Sequence, residues 1–91
     1  TGGAGDGGKD LIATKKENNK KISYYIQCKC TSKPVGVEVA RELLGTLTDE
    51  YPKNTQGIII TNSNFTKEAE ALSLRNNIGL IDYRSLFGNM N

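Results

Sequence analysis

Along residues 21–30, Ile22, Tyr24, Ile26, Cys28 and Cys30 alternate with Lys21, Ser23, Tyr25, Gln27 and Lys29. A period of two is the signature of a strand with one packed face and one wet face. Lys9–Lys16 carries a weaker version, with Leu11 and Ala13 opposite the apolar set. Asn18-Asn19 lies between the two stretches and tolerates the positive φ of a type I′ turn, which predicts a hairpin. A two-residue loop sets the register. Glu17 then faces Lys20, Asp10 faces Gln27, and Lys29 lies diagonal to Asp10 on the face it shares with Gln27. The apolar face, Tyr24 included, is expected to be core. The face bearing Ser23, Tyr25, Gln27 and Lys29 beside Asp10 and Ile12 is expected to carry function.

Beyond the bend set by Pro34 the period changes. Val37, Ala40, Leu44, Leu47 and Tyr51 recur at spacings of three and four, predicting an amphipathic helix from about Gly36 to Tyr51, stopped by Pro52 and Asn54. Gly57-Ile58-Ile59-Ile60 is a continuous β-branched run, as for a strand buried on both faces. Strand, helix and strand in succession imply a right-handed crossover, with this strand parallel to the second hairpin strand. Thr66 is placed to cap a helix running to about Arg75, whose first turn carries Glu68 and Glu70 at the positive end of the helix dipole. Ile78–Tyr83 reads as a last strand and Arg84–Phe87 as a short terminal turn of helix. The order ββαβαβ predicts an α/β fold with a mixed β-sheet flanked by helices, in a single domain over residues 1–91.

Composition narrows the setting. No apolar run approaches the roughly 20 residues of a membrane span. Residues 1–35 carry seven lysines against three acids, a balance of +4, and the remainder carries five basic residues against seven acids, −2. A basic half suits a polyanion such as nucleic acid, although a solvated hairpin surface has the same charge. Cys28 and Cys30 share one strand face, where side chains point in parallel and are poorly placed for a disulfide. With no histidine in the chain they read as small buried hydrophobes. That pattern fits a reducing, cytoplasmic location.

Residues 1–8 contain five glycines, and Gly3, Gly5 and Gly8 match G-x-G-x-x-G. A phosphate-binding loop needs a strand before the glycines and a helix after them. Here Leu11-Ile12-Ala13-Thr14 follows as strand, so nucleotide binding ranks last among the readings. A turn bringing Asp6 and the backbone close to a ligand ranks above it.

The segments GDGGKDL, YYIQCKC, KPVGVEVARELLG, GIIITNSNFTKEA and IGLID, in that order, resemble the catalytic domain of Mrr-type restriction endonucleases. These enzymes cut modified DNA and form a branch of the PD-(D/E)xK nuclease superfamily. The resemblance implies a restriction-endonuclease-like sheet, a metal-binding aspartate at Asp10, and a Q-x-K variant of the E-x-K motif at Gln27 and Lys29. It also implies that Thr61–Ala69 forms a strand-to-helix turn near the active site. Two departures stand out. Lys9 replaces the superfamily's proline, and the family's upstream helix and strand, the helix usually bearing a glutamate, have no counterpart in these residues. The chain is therefore expected to be an N-terminally truncated domain. Its first strand is expected to be an exposed edge, open to pairing with a second copy.

Phosphodiester hydrolysis requires an activated water and stabilisation of charge on the scissile phosphate, and a bound Mg²⁺ supplies both. The expected assignment makes Asp10 the principal Mg²⁺ ligand, with Mn²⁺ a possible substitute. Gln27 contributes its carbonyl oxygen, or a hydrogen bond to a metal-bound water, and Lys29 lies against the phosphate and the attacking water. Asp6 would assist through an outer-shell water. Tyr25 is expected to pack on DNA, and Lys15, Lys16, Lys20 and Lys21 at the hairpin tip to bind backbone phosphates. The leading reading is a Mg²⁺-dependent DNA endonuclease domain of restriction type, with a separate DNA-recognition domain. The alternative is a catalytically weak or inactive module that binds DNA or protein on the same fold.

Overall fold

Two adjacent asparagines with positive φ, 51° at Asn18 and 65° at Asn19, turn the chain back on itself after its first strand. In the computed structural model, which describes residues 9–50 and 54–83, they join β1 (Lys9–Glu17) to β2 (Lys20–Lys29). Left-handed backbone at two successive positions is what a type I′ turn requires, and asparagine accepts it more readily than other non-glycine residues. Every pair then follows. Glu17 faces Lys20, Ile12 faces Tyr25 and Asp10 faces Gln27. The predicted register holds along the whole hairpin.

Helix α1 (Val37–Glu50) leads to β3 (Thr55–Thr61), and α2 (Lys67–Arg75) leads to β4 (Gly79–Asp82). The sheet order is β1-β2-β3-β4, with β1 antiparallel to β2 and the other neighbours parallel. The elements match the ββαβαβ order, and the mixed sheet is of the restriction-endonuclease-like kind. Thr66 caps α2 as predicted, its hydroxyl accepting the backbone N–H of Ala69 at 3.1 Å. The expected terminal turn at Arg84–Phe87 lies outside the described residues, as do Asp6 and the glycine segment. No helix among the described residues is long and apolar enough to cross a membrane.

Both helices pack on the same side of the sheet, and it is the side expected to be wet. The core gathers Tyr25 from β2, Ala40 and Leu43 from α1, Ile59 from β3, and Ile78 before β4. Leu44, Leu47, Leu72 and Leu80 close around it. Ile22, Tyr24, Ile26 and Cys28 face the other way and are only half-buried, while Cys30 is exposed. The expectation that the even-numbered positions of β2 form the core is therefore corrected, and so is the reading of both cysteines as buried. They are free thiols. Tyr83 lies against Cys30, and desolvation followed by that neighbour raises its phenol above the ordinary tyrosine range.

Two further expectations shift in detail. On α1 the deepest leucine is Leu43, 2% exposed, with Leu44 and Leu47 only partly buried. On β3 only Gly57, Ile59 and Thr61 are buried, so the strand is covered on one face and not on both. Gly57 has a packing reason. A Cβ there would stand 2.6 Å from Leu47 Cδ1 and 3.2 Å from Leu43 Cδ2. Its absence lets α1 settle onto the sheet beside Tyr25, the register partner of Gly57.

Candidate functional site

Register brings the first site pair together. Asp10 and Gln27 oppose each other across β1 and β2, which sets their Cβ atoms about 4.5–5.5 Å apart. Both line a cavity of about 430 Å³ under α1, whose opposite wall carries Glu42, Thr46 and Asp49. Tyr25 stands at the back of this cavity, 9% exposed, with its hydroxyl donating to Asp10 Oδ2 at 2.7 Å. The carbonyl oxygen Oε1 of Gln27 is buried and has no hydrogen-bond partner. An orphaned acceptor of this kind costs about 1–3 kcal/mol unless something donates to it or coordinates it.

These features bear on the Mg²⁺ expectation. Mg²⁺ takes oxygen ligands at about 2.0–2.1 Å and retains several waters, so a carboxylate, a neighbouring amide oxygen and room for water form a suitable start. The orphaned Gln27 oxygen beside Asp10 fits such an ion. The donor set is sparse all the same. Among the described residues, no group of three or more His, Cys, Asp or Glu side chains is arranged to hold a metal.

Lys29 shares the site face, two residues beyond Gln27, but is not among the residues that line the cavity. It stands in a row with Thr61 on β3 and Asp82 on β4, at the C-terminal ends of three parallel strands. Its backbone is held firmly. The hydroxyl of Thr61, fully buried, donates to the Lys29 carbonyl at 2.7 Å and accepts the N–H of Ser63 at 3.1 Å. Asn62 Oδ1 accepts the Thr31 N–H at 2.9 Å, so residues 61 and 62 grip residues 29 and 31 at the β2 exit. Val35 and Phe65 add an isolated bridge, with Val35 N–H bonded to Asn64 O at 2.7 Å and Thr66 N–H to Val35 O at 3.0 Å. The turn expected from TNSNFTKEA thus lies beside Lys29.

The remaining candidates divide. Lys15, Lys16, Lys20 and Lys21 are all exposed at the hairpin tip. Alternation places Lys16 and Lys21, which oppose each other directly, on the face of Asp10 and Gln27. Lys15 and Lys20 fall on the other face. Tyr25 is a correction. Expected to present its ring to DNA, it is built into the core, and only its hydroxyl reaches the site. Sequence reasoning missed Glu42, Thr46 and Asp49. Their spacing of four and three along α1 makes a polar stripe beside the apolar one, and that was the available signal.

A family model described as a restriction endonuclease, the Mrr catalytic domain, matches residues 1–90. Neither a curated protein nor a solved structure gives a significant match.

Proposed function

The chain belongs to the Mrr restriction endonuclease catalytic family, a restriction-type nuclease family, and from that premise we propose that it is a Mg²⁺-dependent endonuclease domain acting on DNA. The observation that carries the reading is the pairing of Asp10 with a buried, unpartnered Gln27 carbonyl oxygen at one end of the cavity under α1. Asp10 and Gln27 would hold the ion, with Mn²⁺ able to replace Mg²⁺. When bound, the ion lowers the pKa of a coordinated water and neutralises charge on the scissile phosphate. The chain's own residues do the rest. Lys29, on the same face and fixed at the exit of β2, approaches the phosphate and stabilises its developing negative charge. Lys16 and Lys21 form a like-charge pair across the hairpin, an arrangement that weakens a strand pair unless an anion meets it. A DNA backbone phosphate would meet it. Along β1 Lys16 lies about 20 Å from Asp10, by six residues at about 3.4 Å each, so both can touch one duplex. Phosphate contacts position the duplex without reading its bases, so any choice of sequence or modified base falls to a separate recognition domain. The outer edge of β1, with residues 10–17 all exposed, is the surface through which a second copy would add to the sheet.

One observation favours the alternative of a catalytically weak module that binds DNA without cutting it, namely the lack of a three-acid group among the described residues. Plasmid nicking separates the two. Incubation with Mg²⁺ or Mn²⁺ should convert supercoiled plasmid to open circles, and the activity should vanish with EDTA and with Asp10→Ala. Retention of DNA on a filter without nicking in either metal would favour the module, and nicking by the Asp10→Ala chain would remove Asp10 from the mechanism.

A further inference from the structure

We propose that Tyr25 is the positioning residue for Asp10, holding the carboxylate in the orientation in which it binds the metal. The inference rests on the metal-dependent reading above and adds a residue that contributes no ligand of its own. Asp10 needs such help because of its place in the fold. It is exposed, on a strand at the edge of the described sheet where residues 10–17 are exposed throughout. Among the described residues its one neighbouring strand is β2. Across the hairpin the situation is reversed. The ring of Tyr25 belongs to the buried core cluster that includes Ala40, Leu43 and Ile59, so the location of its hydroxyl is set by core packing. That hydroxyl donates to Oδ2 of Asp10 at 2.7 Å. A donor held by the core thus fixes an exposed acceptor, engaging one carboxylate oxygen and leaving the other for a cation.

Tyr24 and Tyr25 are adjacent and chemically identical, and the chain buries the one on the functional face. A phenylalanine would fill the same core space. The hydroxyl is what Asp10 uses. Groups that orient a metal ligand in this way typically change metal affinity or activity by about 10–100-fold when removed.

Tyr25→Phe deletes one oxygen and keeps the ring. Isothermal titration of Mn²⁺ into the 91-residue chain, wild type, Tyr25→Phe, Asp10→Ala and the double variant, tests the assignment. The expected result is a Mn²⁺ dissociation constant raised about 10–100-fold in Tyr25→Phe. The melting temperature should stay close to wild type, and Tyr25→Phe should have no further effect in the Asp10→Ala background. Wild type that binds Mn²⁺ in an Asp10-dependent way, with Tyr25→Phe binding equally well, overturns the positioning role and leaves the metal site standing. Wild type with no Asp10-dependent binding overturns both. A Tyr25→Phe chain that has lost its cooperative melt assigns the hydroxyl to the core, and that too overturns the proposal.

Discussion

Thr61→Val tests whether the strand-to-helix turn supports the site or merely connects two elements. Valine matches threonine in shape, so the substitution opens no cavity and removes only the hydroxyl. Thr61 is 0% exposed, and that hydroxyl makes two bonds, donating to Lys29 O at 2.7 Å and accepting from Ser63 N at 3.1 Å. A buried hydrogen bond contributes about 0.5–1.5 kcal/mol net, so two lost bonds cost about 1–3 kcal/mol. The Ser63 N–H, whose residue is itself buried, is left facing a methyl group, which favours the upper half of that range. For a domain of this size each kcal/mol moves the melting temperature by about 4–8 °C, so 2 kcal/mol becomes about 8–16 °C. The assay is thermal and urea unfolding of wild type, Thr61→Val and Thr61→Ser. Serine keeps the hydroxyl and loses a methyl, and should fall nearer wild type than valine does. A valine variant melting within about 1 °C of wild type would show that the hydroxyl bonds carry no net stability. A serine variant as unstable as the valine one would show that the methyl, which valine keeps, counts for as much as the two hydroxyl bonds, and either result refutes the reasoning.

Two further outcomes follow from packing and charge. Gly57→Ala brings a methyl group to 2.6 Å from Leu47 Cδ1 and 3.2 Å from Leu43 Cδ2, side-chain ends able to swing aside, while Gly57→Val adds two further methyl groups to that crowding. The expected costs are about 1 kcal/mol for alanine and about 3 kcal/mol for valine in urea unfolding, and equal melts for all three would show that α1 is not seated on this glycine. Lys16→Ala removes one member of the like-charge pair with Lys21, so it should leave the fold unchanged or firmer by a few tenths of a kcal/mol while weakening DNA binding. Its plot of log affinity against log salt should be shallower by about one unit, and an unchanged slope would take Lys16 out of phosphate contact.

How far the residues alone reveal this molecule depends on what each element's pattern records. The hairpin is legible to the single residue, because the Asn18-Asn19 turn admits few geometries and a two-residue loop leaves no slack in the pairing. Asp10 opposite Gln27 follows from that loop alone. The choice of core face is not legible in β2. Its alternation separates two sets, but Tyr25 in the polar-looking set is as large as any residue in the apolar one. What decides is where α1 and α2 lie, and they cover the face of Tyr25, Ile59 and Leu80. The run Ile58-Ile59-Ile60 is apolar at every position and so cannot report a face. On α1, Leu43 and Leu44 satisfy a helical period equally well, and only contact with Gly57 and Tyr25 picks Leu43. The acids Glu42 and Asp49 are illegible for a related reason. A polar stripe on a helix is ordinarily solvated, and only the cavity beneath it gives the stripe a second meaning.

The asparagine turn has a reach out of proportion to its size. Asn18 lies eight positions beyond Asp10, about 27 Å of strand, yet the loop alone dictates which side chain the aspartate meets. A strand slipped by one position presents its opposite face, so one extra residue at that distant bend would rotate Asp10 away from its phenol and its amide together. The tip of the hairpin works as the gauge block for a site it never touches.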